Sequence, residues 1–232
     1  MTDPRLHAVY QRISSKIGDS SKIEPLESVE TVFRHRRFWQ PEKLRVVLLA
    51  ESHVYTAAEE LLNRVDLTLF GVHGAPPEYA RFVYCLGYGE DKLVQGKVVK
   101  NAGTWQFWRL FYSCVNPVDA QTDFSPVLKG GERDFRQRVA NKLAVLREMK
   151  RRGIWLVDAS VIALYTTVGQ VKDSAPATKG VANKARRAAM EIAIQECWQG
   201  LWEPELGALR PRHILCIGRD VERFLGDALP RQ

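Results

Sequence analysis

The sequence predicts an α/β protein built as a three-layer α/β/α sandwich, with a short, mainly parallel central sheet between two layers of helices. Two observations support this prediction. Short apolar runs alternate along the chain with segments of helical periodicity, a pattern typical of a parallel sheet covered by helices. The apolar runs also end abruptly in polar residues, as buried parallel strands do.

Size and composition narrow the class of protein. The chain has 232 residues, of which 45% are hydrophobic, so we expect residues 1–232 to form a single domain with a sizeable core. The net charge of +7 and the pI of about 9.3 favour polyanionic partners. The four cysteines form no C-x-x-C pair, so we expect neither a bound metal nor another cofactor.

The sequence also leads to an expectation about where in the cell the protein is located. No signal peptide opens the chain, and no apolar run approaches the ~20 residues of a membrane-spanning helix. We therefore expect a cytoplasmic protein that does not associate with membranes. We also expect it to be a monomer.

The first elements lie in a polar N-terminal region. Residues 1–43 are predicted to form a helical or irregular extension, with a short helix over residues 6–17 and a charge-rich segment over residues 24–37. Pro41 interrupts the chain before the first strand. That strand is Val46–Ala50, five consecutive apolar residues, a length typical of a buried strand.

The remaining elements alternate between helices and strands. Gly153 ends a predicted helix and leads into a second strand over residues 154–157, and Gly218 closes a third strand at His213–Ile217. The other helices are predicted over residues 57–64, 104–114, 132–151, 183–201 and 221–228. This order of elements predicts parallel strands joined by helical crossovers.

Polar side chains follow each of the three predicted strands. Parallel strands bring their carboxyl ends to one edge of the sheet, where open α/β sheets bind ligands. Carboxylates, a histidine and an arginine therefore converge there, and we interpret them as a functional site. The three groups are Glu51, Ser52 and His53 after the first strand, Asp158, Ala159 and Ser160 after the second, and Gly218, Arg219 and Asp220 after the third.

Plainer interpretations of the same residues stay open. Glu51 and Asp158 are also suited to capping the helices that follow them. His53 is equally suited to a structural role in which its ring nitrogens bind nearby groups. Lysines and arginines surround the loop that follows the second strand, and they suit either phosphate contacts or a solvated surface. These residues are Lys172, Lys179, Lys184, Arg186 and Arg187.

Over residues 44–228 the chain resembles the uracil-DNA glycosylase superfamily, in the order of its strands more than in identity. The first motif of that family reads GQDPY in one branch and GEAPG in another, where this chain reads AESHVY over residues 50–55. Glu51 matches the acid of the second branch. Ser52 stands where the first branch has its catalytic aspartate, and Tyr55 matches the family tyrosine after a shift of one residue.

Two further motifs carry the resemblance. The LLLN segment of the family ends in an asparagine that reads uracil, and GIWLVDAS places Asp158 at that position. The LLWG strand resembles ILCIG, which ends at Gly218. The segment LFGV before a Gly-Ala-Pro-Pro turn makes Phe70 a candidate for the base-stacking phenylalanine, and Tyr84 is the rival candidate.

One departure from the family pattern is large. The HPSP-like motif of the family follows a further strand after the LLWG segment, whereas this sequence stops at Gln232. We therefore expect no counterpart, within residues 1–232, of the histidine that faces the departing base or of the loop that wedges the duplex. Either His53 and its neighbours take over that role, or the chain only binds nucleic acid.

The resemblance implies a DNA glycosylase that removes uracil or a related deaminated base without a metal, as in base excision repair. Such chemistry needs a carboxylate near the sugar, donors for the leaving base, and an aromatic surface with a polar reader for a flipped base. Alternatives are a non-catalytic nucleic-acid-binding protein of the same fold and a small-molecule hydrolase; no P-loop or G-x-G-x-x-G follows any strand. The expected roles are catalysis for Glu51 and His53, base binding for Ser52, Tyr55, Phe70, Tyr84 and Asp158, and DNA contact for Lys172, Lys179 and Arg219.

Overall fold

The computed structural model describes residues 3–18, 23–98, 101, 103–165 and 176–229, and for residues 176–183 it describes the backbone only. The strands are β1 (Val46–Ala50), β2 (Arg64–Val65), β3 (Val94–Gln95), β4 (Ile154–Asp158) and β5 (His213–Ile217). The helices are α1 (Pro4–Ile17), α2 (Leu26–Phe38), α3 (Trp105–Val115), α4 (Phe135–Arg152), α5 (Pro176–Cys197), α6 (Glu203–Leu209) and α7 (Arg219–Leu225). The fold is a three-layer α/β/α sandwich with a small parallel central sheet, so the predicted fold class is confirmed.

The central sheet has the strand order β4-β1-β5, with all three strands parallel. Ala50 lies level with Asp158 on one side and with Ile217 on the other. The residues that follow the three strands therefore meet at one edge, which we call the carboxyl edge. β1 is the buried middle strand because its continuous apolar run faces helices on both sides.

The two connections between the parallel strands run in opposite directions across the sheet. The connection from β1 through α3 and α4 leads to β4 on one side, and the connection from β4 through α5 and α6 crosses to β5 on the other. Right-handed crossovers of this kind place the two sets of helices on opposite faces of the sheet. The gap between the ends of β1 and β5 is therefore the topological switch point, where open α/β sheets form a binding crevice.

The N-terminal region is helical, and it packs into the same core as the sheet. Leu6, Val9 and Ile13 form one fully buried face of α1 at helical spacing, and α1 packs against α5. The side chain of Asp3 caps the start of α1 by accepting a hydrogen bond from the Arg5 N–H at 2.9 Å. The helices α1 and α2 thus supply part of the common hydrophobic cluster.

The helices α3 and α4 run in the same direction, opposite to the strands. The Lys142 ammonium lies 4.7 Å from the ring centroid of Trp108, and ten residues further along α4 Arg152 donates a hydrogen bond to the carbonyl of Cys114. At the end of α4 the chain turns back into β4 through Gly153, which has a φ of 78°. The first turns of α3 and α4 consequently lie toward the carboxyl edge.

One predicted element is wrong in type. Residues 57–64 were expected to form a helix, but the structure has a 3-10 helix at Ala58–Leu62 followed directly by β2. The Glu60 carboxylate accepts hydrogen bonds from the Ala57 N–H and from Arg81, which hold this segment against the neighbouring loop. In the part of the chain that the structure describes, no helix has both the length and the apolar character needed to cross a membrane.

Candidate functional site

A buried ion network lies beneath the loop that follows β1. It consists of Glu24, Arg36, His53 and Asp158, all of them buried. His53 Nε2 lies 2.6 Å from Glu24 Oε2, and His53 Nδ1 lies 3.2 Å from Asp158 Oδ2. The same Asp158 oxygen pairs with Arg36 Nη2 at 2.5 Å. Positive and negative groups alternate, so the network is neutral when His53 is protonated.

The protonation state of His53 follows from these contacts. Burial lowers the pKa of His53, but the charges of Glu24 and Asp158 and their hydrogen bonds outweigh burial and raise that pKa to about 9. Burial likewise raises the pKa of Asp158, and Arg36 and His53 outweigh it so that the pKa falls below its usual value. At neutral pH His53 is therefore an imidazolium that donates one N–H to each carboxylate.

Glu24 ties the loops after two strands together. Its carboxylate accepts hydrogen bonds from the Thr56 N–H at 2.8 Å and from the Ala163 N–H at 3.3 Å. The backbone N–H of Glu24 donates in turn to the Ala163 carbonyl at 3.1 Å. This carboxylate therefore fixes the loop after β1 relative to the loop after β4.

Arg36 is held between aromatic rings. Its guanidinium carbon lies 4.9 Å from the ring centroid of Phe82 and 5.8 Å from that of Trp202. Trp202 also donates its indole N–H to the Asp158 carbonyl at 2.8 Å. A buried guanidinium requires a partner anion, and Asp158 provides it.

Three predicted site residues need correction because of this geometry. His53 was expected to donate to a departing base, but its side chain has no exposed surface and both ring nitrogens face carboxylates. Asp158 was expected to read the base, but its carboxylate is buried in its pairs with Arg36 and His53. Tyr84 was a candidate stacking surface, but it is a core residue whose hydroxyl accepts a hydrogen bond from the Leu156 N–H.

Phe70 lies apart from this network. It ends a 3-10 turn at Thr68–Phe70, and its ring packs edge-on against that of Phe135, with centroids 6.4 Å apart. Its carbonyl accepts a hydrogen bond from Arg147 at 3.1 Å. The contacts of Phe70 are with α4, and none of the described contacts joins it to Glu51.

An accessible group of charges occupies the switch point between β1 and β5. We call it the switch-point cluster, and it contains Glu51, Arg186, Arg187, Arg219 and Asp220. A guanidinium nitrogen of Arg186 lies 4.0 Å from a carboxylate oxygen of Glu51, and Arg187 lies 3.4 Å from Asp220. The Glu51 side chain is 35% exposed, Arg219 is exposed and Ser52 is partly exposed. This cluster joins residues from β1, α5 and α7.

The environment of Glu51 raises the pKa of its carboxyl group. Burial raises the pKa of Glu51, and Asp220 adds to this rise while Arg186 and Arg187 oppose it. The backbone carbonyl of Glu51 accepts a hydrogen bond from the Ser160 N–H at 2.9 Å, which continues the pairing of β1 with β4. Glu51 is thus a carboxylate on a rigid support, open to solvent on one side.

An aromatic pair with one partly buried and one exposed ring follows the ends of β1 and β4. The ring of Tyr55 lies 5.2 Å from that of Tyr165, and Tyr165 is 46% exposed. Tyr55 was predicted as a base-binding residue, whereas the sequence reasoning did not select Tyr165. The sequence did contain a signal for Tyr165: it lies in the loop after β4, and the end of β4 was already predicted to be part of the site.

Glu24 and Arg36 were also not selected from sequence. Both lie in the charge-rich N-terminal segment, far along the chain from the strands that they contact. Lys172 lies outside the described residues, and so does the side chain of Lys179, so the predicted phosphate contacts of that loop stay a prediction. Among the described residues, no group of three or more His, Cys, Asp or Glu side chains is arranged to hold a metal ion.

None of the comparisons with known proteins finds a match: neither family models, nor curated proteins, nor solved structures match this chain. The resemblance to uracil-DNA glycosylases therefore rests on the motifs quoted above.

Proposed function

We propose that this protein is a DNA glycosylase that hydrolyses the N-glycosidic bond of uracil or a related deaminated base. The observation that supports the proposal most strongly is the position of Glu51. It is a half-buried carboxylate at the topological switch point, at the end of the central strand, with guanidinium groups beside it. Ligands of open α/β sheets bind at such points.

The chemistry of base release matches the groups at this edge. Glu51 positions and activates the attacking water and stabilises the positive charge that develops on the sugar. A carboxylate whose pKa is raised by burial suits proton transfer near neutral pH better than an exposed one. Arg186, Arg187 and Arg219 hold the phosphates that flank the target nucleotide.

The aromatic surface of this proposal is the pair formed by Tyr55 and Tyr165. Tyr55 lies in the loop after β1 that carries Glu51, Tyr165 lies in the loop after β4 that carries Ser160, and Tyr165 is 46% exposed. An extruded base stacks on such a surface. Ser52, partly exposed next to Glu51, offers a hydroxyl to the edge of the base.

The buried ion network acts in this proposal as the support of the catalytic loop. His53 and Asp158 are positioning residues, because they fix the chain on either side of Glu51 without facing the crevice. A catalytic group must be held within a fraction of an ångström by residues that are themselves locked. His53 lies two residues after Glu51 in the chain, so its contacts with Glu24 and Asp158 anchor the loop that carries Glu51.

A second candidate function is nucleic-acid binding without catalysis. The observation that favours it is the burial of His53 and Asp158, because the residues expected to assist the leaving base and to read it are both committed to ion pairs. In that case the arginines of the switch-point cluster bind DNA phosphates while Glu51 pairs with Arg186.

Incubation with modified oligonucleotides tests the two functions. Oligonucleotides with a single uracil, hypoxanthine or xanthine are incubated with excess protein, treated with alkali to cut abasic sites, and separated on a gel. The glycosylase proposal predicts cleavage of at least one modified strand and none of the unmodified strand. Binding in a parallel assay without any strand cleavage would contradict the glycosylase proposal and support the second candidate.

A further inference from the structure

A separate cleft opens beside the first turn of α3, with a volume of about 490 Å³. Trp105, Arg109 and Phe124 form one side of it, and the loop of residues 128–131 forms the other. The volume falls within the range of sites that hold small ligands. The cleft shares no residue with the switch-point cluster.

One of the two basic residues that line this cleft, Arg109, lies against aromatic rings. The guanidinium carbon of Arg109 lies 4.6 Å from the ring centroid of Phe124 and 5.7 Å from that of Trp105. None of the ion pairs between described residues involves Arg109. Arg109 is exposed, and a guanidinium stacked on aromatic rings keeps its N–H donors available to an anion. Trp105 is 46% exposed, and its indole lies next to that cation.

The opposite wall of the cleft is fixed. A Cβ atom on Gly131 would lie 2.2 Å from the Cβ of Ser125, so the close approach of these two segments requires glycine. The Asp123 carboxylate accepts hydrogen bonds from the N–H and hydroxyl of Ser125 at 2.8 and 2.6 Å. Lys129 pairs with Asp91 at 2.5 Å. These contacts preorganise the cleft for a ligand.

The cleft lies at the same end of the molecule as Glu51. The helices α3 and α4 run opposite to the strands, as the contacts of Trp108 with Lys142 and of Cys114 with Arg152 show. Trp105, at the start of α3, is therefore on the side toward which the carboxyl edge faces. A strand bound at the switch-point cluster has the cleft on the same side of the protein.

We propose that this cleft binds one unpaired nucleotide of single-stranded DNA, with its base stacked on Trp105 and its phosphate on Arg109. The inference rests on the proposed function, since it takes DNA as the partner, and it adds a contact outside the reacting nucleotide. Stacking of a base on an indole is tolerant of sequence because every base has a π face, and an arginine beside it adds attraction to the phosphate. The cleft offers these two groups together.

Binding of undamaged single-stranded DNA tests this inference. Fluorescence anisotropy of a labelled oligothymidine is measured with the full chain and with Trp105→Ala, Trp105→Phe and Val118→Ala. Val118 is an exposed apolar residue outside the cleft, so its variant is the matched control. We expect Trp105→Ala to weaken binding about tenfold, because loss of one stacked base has this scale. Trp105→Phe should keep most of the affinity, and Val118→Ala all of it.

Wild-type affinity in Trp105→Ala, or no binding of oligothymidine by the wild-type chain, would overturn the inference. Thermal melts check that each variant is folded, and Arg109→Gln provides the same test if Trp105→Ala melts early. If the protein releases the base but binds DNA equally well without Trp105, the proposed nucleotide site in the cleft is refuted and the glycosylase proposal is not affected. If binding of single-stranded DNA depends on Trp105 but no base is released, the nucleotide site is supported and the glycosylase proposal is contradicted.

Discussion

At the scale of single residues, the imidazole of His53 lies between two carboxylates that use both of its ring nitrogens. From sequence, a catalytic histidine and a structural one were equally consistent with this position. Burial distinguishes them, because a side chain without exposed surface reaches neither solvent nor substrate. The charge of His53 then contributes to stability, because the imidazolium and the Arg36 guanidinium together compensate the two buried carboxylates.

We predict that His53→Ala destabilises the protein strongly. Removal of the imidazolium leaves Glu24 and Asp158 buried with one cation, Arg36, and breaking a buried pair in this way costs ~3–5 kcal/mol. Urea unfolding followed by circular dichroism measures the loss. The control is His73→Ala, since His73 is exposed, and its effect should stay within ~0.5 kcal/mol. Near-normal stability of His53→Ala together with slow base release would instead assign His53 to catalysis.

At the scale of elements, the three central strands were predictable because each is a continuous apolar run that ends in a polar residue or glycine. Their order was not predictable in detail, and neither was the edge position of β5, where Leu215 is exposed. The contribution of the N-terminal segment was also missed. Glu24 and Arg36 meet His53 and Asp158 only through tertiary packing, and local periodicity carries no information about such contacts.

The switch-point cluster was partly predictable for a related reason. Glu51 and Asp220 follow strands directly, so the topology brings them to one edge. Arg186 and Arg187 lie on α5, and their approach to Glu51 and Asp220 depends on how that helix crosses the sheet. The sequence showed that several basic residues lie close together in this segment of the chain, but it did not show which of them approach the acidic side chains.

We predict that Arg186 and Arg187 contact DNA phosphates. Arg186→Gln combined with Arg187→Gln should weaken binding without sequence preference and flatten the salt dependence of log Kd by about one to two units of slope. The matched control is Arg151→Gln with Arg152→Gln, which removes the same charge at the end of α4 that faces away from the carboxyl edge. Equal salt slopes in the two double variants would show that only net charge matters.

At the scale of the whole molecule, the buried ion network links stability to pH. The pKa of His53 rises in the folded state from 6.5 to about 9, so its stabilisation is complete below pH 6.5 and is lost as the pH rises through about 9. The pKa of Asp158 is lowered on folding from 3.8, so its contribution is present above pH 3.8 and is lost as the pH falls through its folded value. The stabilisation from these two groups should therefore be greatest between pH 3.8 and pH 6.5 and should decline on both sides of that interval.

We predict that the melting temperature of the wild-type protein falls between pH 6.5 and pH 9, the interval over which His53 loses its proton. His53→Gln should melt at a lower temperature throughout, with a flatter profile over the same interval. Differential scanning calorimetry in buffers of equal ionic strength measures both. Parallel profiles for the two proteins would contradict the assignment of His53 as a buried imidazolium.

The central claim is that Glu51 catalyses base release at the switch point, and single-turnover kinetics on the best modified oligonucleotide test it most directly. Free base is measured by chromatography for the wild-type chain, for Glu51→Gln and for Glu59→Gln, an exposed carboxylate in the following 3-10 helix. We expect a rate lower by about 10²-fold or more for Glu51→Gln, the usual scale for an acid–base group, with unchanged DNA affinity and a near-normal rate for Glu59→Gln. Equal rates for the wild type and Glu51→Gln, or no base release by the wild type, would contradict it.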